Sequence, residues 1–78
     1  SDFDLIPRVK GYHFMVLRKG QDVRAAVNYG DRPNEQVSSL MDSVVPGDRV
    51  RFYKIKYTVG CDPEIRYHSG EIEYLIRG

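Results

Sequence analysis

Only one stretch of this chain has the periodicity of a helix, and it is too short to enclose a core by itself. Val37, Leu40, Met41 and Val44 recur at i, i+3, i+4 and i+7, which puts them on one stripe. Asn34 is suited to cap the start, Glu35 complements the positive end of the helix dipole, and Pro46-Gly47 cannot continue the helix. The pattern predicts a helix from about Asn34 to Val45. A single apolar stripe must be buried against another layer, and almost all other apolar residues sit in strand-like runs. A mainly β fold follows, with the helix across an open end or face of the sheet.

The strands are legible from their composition and period. Val9 to Leu17 is rich in β-formers and almost continuously apolar after Gly11, as expected of a central strand covered on both faces. Lys19-Gly20 signals a turn, after which Val23, Ala25, Val27 and Tyr29 alternate, so the two runs read as a hairpin. From Arg49 to Val59, Val50 and Phe52 share one parity while Ile55, Tyr57 and Val59 share the other. A bulge near Tyr53 or Lys54 reconciles them. Gly60 to Glu64 reads as a hairpin loop. Ile65 and Tyr67, then Ile72, Tyr74 and Ile76 beyond Ser69-Gly70, form one interrupted strand or two short ones. The amino-terminal segment is expected to add a short strand at Phe3 to Ile6. The predicted class is a small antiparallel β-sandwich or half-open barrel of five or six strands with one short α-helix.

With 78 residues the chain holds one domain, residues 1–78, and its six Tyr and three Phe are enough to pack a core. The abrupt start at Ser1 and the strand-like finish at Tyr74 to Arg77 suggest a domain excised from a longer chain. Twelve basic and eleven acidic side chains are interspersed, so charge gives no strong pointer to nucleic acid or to a membrane surface. No apolar run approaches the roughly 20 residues needed to span a bilayer, so no membrane insertion of this segment is expected. A lone cysteine, Cys61, excludes an internal disulfide and cannot supply a multi-cysteine zinc site.

The inventory for chemistry is thin. Cys61, Asp62 and His68 would make a nucleophilic or metal-binding group if the last hairpin brought them together, yet no nucleophile signature surrounds the cysteine and a closed metal site wants four ligands. His13, in an apolar strand, reads as a packed residue with one hydrogen bond. No catalytic, cofactor-binding or metal-binding residue is therefore assigned, and an enzyme is not expected. The strongest alternative lies on one strand, where Arg49, Arg51, Tyr53, Lys54 and Lys56, with Tyr57, interleave cations and aromatic rings as a groove for single-stranded nucleic acid would. Against it, Glu71 or Glu73 can sit opposite those cations as cross-strand pairs, and a solvated, charge-paired face is the preferred reading.

The order of these features resembles the carboxy-terminal domain of the gliding-motility protein GldM and its relatives in Bacteroidetes cell envelopes. The likeness is carried by Phe3-Asp4-Leu5 leading into Tyr12-His13-Phe14-Met15-Val16, by Lys19-Gly20, by the helical Gln36-Val37-Ser38-Ser39-Leu40, and above all by the run from Val45-Pro46-Gly47-Asp48 through Lys56. The closing Ile72-Glu73-Tyr74-Leu75-Ile76 fits as well. The resemblance implies a β-rich periplasmic module without an active site, a scaffold or protein-interaction domain with a partner in the cell envelope. The loop from Gly60 to Glu64, with its cysteine, departs from the family pattern. An exposed edge within Tyr67 to Arg77 is the expected docking surface, because unpaired backbone groups there can accept another strand.

Overall fold

A computed structural model describes residues 5–78. The chain runs β1 (Pro7–Leu17), β2 (Arg24–Tyr29), α1 (Glu35–Asp42), β3 (Arg49–Val59), β4 (Asp62–Tyr67) and β5 (Ile72–Leu75). All pairings are antiparallel, in the order β2-β1-β3-β4, and β5 also pairs with β3. The architecture is thus mainly β with one short helix, as the sequence predicts. It is a single five-stranded sheet that does not close into a barrel. Among the described residues no second sheet faces it; α1 and the sheet itself supply the two layers. Of the extra strand expected at Phe3 to Ile6, Phe3 and Asp4 lie outside the described residues, and Leu5 and Ile6 precede β1 without forming a strand.

β1 and β3, eleven residues each, form the spine. Their register is the same at both ends, with Val9 opposite Tyr57 and His13 opposite Tyr53, but it slips locally where Gly11 faces Lys56. The slip coincides with Lys54, which adopts a left-handed φ of 50° that side chains other than glycine rarely take. The bulge expected near Tyr53 or Lys54 is therefore present, and it returns Ile55 to the face that Phe52 occupies. On the far side of β3 the partner strand breaks at the same level. β5 runs along Arg49–Phe52 and β4 along Lys56–Val59, and His68 still donates to the Ile55 carbonyl at 2.9 Å, while Ser69 to Glu71 leave the ladder, with Gly70 at a φ of 85°. Of the two readings offered for the last segment, two short strands is the correct one.

The inner face carries the core. Tyr12, Phe14 and Val16 of β1 and Val50 of β3 pack with Val37, which is fully buried, and with Leu40, Met41 and Val44 of the predicted stripe. Asn34 caps α1 as its sequence suggests, its Oδ1 accepting the Val37 amide at 2.9 Å. The helix ends at Asp42, earlier than Val45, because Ser43 turns its own amide and hydroxyl onto the Leu40 carbonyl. Arg18 then donates to the Ser43 carbonyl at 3.1 Å, placing a cation at the negative end of the helix. Pro46-Gly47 forms the turn that follows, closed by the Asp48 amide on the Val45 carbonyl, with Gly47 at a φ of 97°.

Three expectations are corrected. β1 is not covered on both faces: Tyr12, Phe14 and Val16 are buried, whereas His13, Met15 and Leu17 are only half-buried on the outer face. In β2 the apolar parity points outward. Tyr29 is 78% exposed while polar Asn28 is 1% exposed, because Asn28 is needed inside to bind the chain that enters α1. The loop from Gly60 to Glu64 shrinks to Gly60-Cys61, since Val59 pairs with Asp62 directly; Pro63 is tolerated because β4 is an edge strand.

Candidate functional site

α1 packs chiefly over β2 and leaves the other half of the inner face open. There, Val9 and Tyr12 of β1, Phe52 and Ile55 of β3, and Ile72 and Tyr74 of β5 line a groove of about 330 Å³, with exposed Asp31 at its rim. The walls are aromatic and mutually braced. The Phe52 ring lies 5.6 Å from Tyr12 and 6.4 Å from Tyr74, both edge-on, and 5.0 Å from Phe14. Burial, then the nearby Asp31 carboxylate, pushes the Tyr12 hydroxyl above its ordinary pKa, so it stays protonated.

The groove opens onto a free strand edge. β5 is exposed along its whole length and, among the described residues, pairs only with β3. Ile76 exchanges both backbone bonds with the β3 side, donating to the Asp48 carbonyl at 2.8 Å and accepting from the Gly47 amide at 2.9 Å. Antiparallel alternation then turns Tyr74 and Ile72 toward β3 and leaves the backbone groups of Glu73 and Leu75 pointing outward. β4 is a worse template, because Asp62, Pro63, Glu64 and Arg66 guard it with charge and a missing donor. The expected docking edge, Tyr67 to Arg77, thus resolves into β5 and the residues flanking it.

The outer face holds the basic strand. Arg51 donates to Glu73 at 2.7 Å and lies 3.2 Å from Glu71, and Arg49 reaches Glu73 at 3.3 Å. Arg51 and Glu73 are register partners, the cross-strand pairing that the sequence offered against a nucleic-acid face. Tyr53 packs on His13, ring centroids 5.1 Å apart. Lys54 is exposed at the bulge, and Lys56 lies over Gly11; neither has an ion-pair partner among the described residues. Of the five residues of the alternative site, two are therefore neutralised and three remain available.

Cys61 and His68 are not brought together. Cys61 sits at the tip of the β3–β4 turn and His68 beyond the other end of β4, so the length of the strand, roughly 20 Å at ~3.3 Å per residue, separates them. No group of three or more His, Cys, Asp or Glu positioned to hold a metal occurs among the described residues. Among the same residues no helix is long and apolar enough to cross a membrane.

Comparison of the chain with protein-family models, with curated proteins and with solved structures gives no match. The groove and the β5 edge are features that reading the sequence missed in part. Ile72 and Tyr74 were recognisable as a strand face, but nothing local marks Asp31 as a rim residue or indicates that α1 stops short of Phe52 and Ile55.

Proposed function

We propose that this domain is a non-catalytic protein-interaction module that accepts an extended segment of a partner along β5, as part of a bacterial cell-envelope assembly. The observation that carries the docking mode is the unpaired β5 edge opening directly onto the aromatic groove. A strand added there satisfies the outward backbone groups of Glu73 and Leu75 and lays alternate side chains beside Ile72 and Tyr74. The envelope setting rests on the resemblance of the chain, from Phe3-Asp4-Leu5 to the closing Ile72-Glu73-Tyr74-Leu75-Ile76, to the GldM-type domain. The separation of Cys61 from His68 supports a role without catalysis.

The test is a pull-down from envelope extract with the tagged domain and with its Leu75→Pro variant, alongside titration with a single-stranded oligonucleotide. Proline removes an outward donor but leaves the β3 ladder intact. Recovery of envelope proteins that the variant loses is the expected result. Equal recovery by both proteins overturns docking at β5. Micromolar oligonucleotide binding that weakens steeply with salt replaces this reading by one centred on Tyr53, Lys54 and Lys56.

A further inference from the structure

We infer that the strand which occupies the β5 edge is β5 of a second copy of this chain, paired antiparallel about a twofold axis through Tyr74. This inference rests on β5 being the docking edge and adds the identity of the partner.

Register decides how two copies can meet. Two copies of one strand can pair only where outward-facing backbone groups meet outward-facing ones, and in β5 these belong to Glu73 and Leu75. Centring the pair on Glu73 sets two carboxylates against each other, which is unfavourable. Centring it on Tyr74 avoids that clash and sets apolar residues against each other on the inner face. Glu73 faces Leu75 of the second copy and completes the backbone ladder. Tyr74 faces its own copy in a non-hydrogen-bonded pair, where side chains approach most closely, on the groove side. Ile72 faces Ile76, also on the inner face, so apolar meets apolar. One step further out, Glu71 faces Arg77, twice by symmetry.

Charge supports the same pairing. Arg77 is exposed and has no ion-pair partner among the described residues, and Glu71 remains half-exposed even in its contact with Arg51. Glu73, the one charge within β5 that would repel an incoming strand, is already held by Arg49 and Arg51. Pairing would merge two sheets into one and bring the two grooves together across the Tyr74 pair, covering apolar surface that each copy alone leaves in water. So short a ladder makes a small interface, and the association is correspondingly weak.

Analytical ultracentrifugation of the untagged domain from about 10 µM to about 1 mM tests this. The expected result is a reversible monomer–dimer equilibrium, weakened about tenfold or more by Arg77→Glu and largely restored by combining Arg77→Glu with Glu71→Arg. Rescue by the charge swap cannot come from a general loss of folding. A monomer at every concentration, or a dimer indifferent to both variants, overturns the inference. Failure of the broader reading looks different: there, Leu75→Pro leaves capture of envelope proteins unchanged, whatever the oligomeric state.

Discussion

Arg18 and Asp48 form a two-pronged ion pair, Nε to Oδ1 and Nη2 to Oδ2 both at 2.8 Å, that ties the β1–β2 turn to the turn just ahead of β3. Asp48 is 1% exposed and also accepts the Val45 amide at 3.0 Å. The same guanidinium holds the end of α1 through the Ser43 carbonyl. One carboxylate therefore fixes the Pro46-Gly47 turn, the helix terminus and the hairpin at once.

That geometry has an acid signature. The Arg18 hydrogen bonds, then the Val45 amide, lower the Asp48 pKa to about 2, below its ordinary value in an unfolded chain. Because the folded value is the lower one, the stabilisation is complete above about pH 5 and is lost as the pH falls toward about 2. Thermal melts between pH 6 and pH 2 should show Tm declining across this window. Asp48→Asn should lower Tm at neutral pH and flatten the decline; an unchanged profile would show that the pair does not stabilise the fold.

Asn28 and Asn34 are coupled in the same way at the other end of α1. The Asn28 amide nitrogen donates to the Gly30 and Arg32 carbonyls, and its oxygen accepts the Asn34 backbone amide. Asn34 in turn caps α1 and binds the Val27 carbonyl. Asn34→Ala should cost about 1–2 kcal/mol as a lost cap. Asn28→Leu should cost more, about 2–4 kcal/mol, since it strands three partly buried backbone groups at once. Urea denaturation gives both values, and a reversed order would mean that the loop, not the cap, is dispensable.

Gly11 is required for space. A Cβ there would lie 3.0 Å from the Asn28 carbonyl oxygen and 3.1 Å from Lys56 Cε. Lysine can swing aside; the β2 backbone cannot. Gly11→Ala is expected to destabilise the domain by about 1–3 kcal/mol, and adding Lys56→Ala should recover only a minor part. Full recovery in the double variant would assign the clash to the lysine alone.

His13 should titrate low. Burial, then the charges of Lys54 and Lys56, depress its pKa below the ordinary histidine value, so the ring is neutral at pH 7. A histidine whose folded pKa is lowered withdraws stability as the pH drops from about 6.5 to that lowered value. An NMR titration should place His13 below the free imidazole value, and Lys54→Ala should move it upward. A midpoint at or above the free value would mean that the lysines face away from the ring.

The features legible in the chain before folding are local ones. The helix stripe, the Asn34 cap and the bulge beside Lys54 each follow from the chemistry of neighbouring residues, and all are present; the helix stop is not where Pro46-Gly47 put it, because Ser43 closes α1 first. Even the Arg51–Glu73 pairing was legible, because charge patterns along two strands constrain how they can face each other. Burial of Asn28 was not, since its value comes from carbonyls and an amide that only the folded loop assembles. Nor was the groove. Whether Phe52, Ile72 and Tyr74 end up covered depends on where an eight-residue helix lands on a five-stranded sheet, and that is decided by contacts between residues distant in the chain. Tertiary structure alone leaves one edge and its apolar flank open, because α1 is too short to cover both halves of the face it packs on.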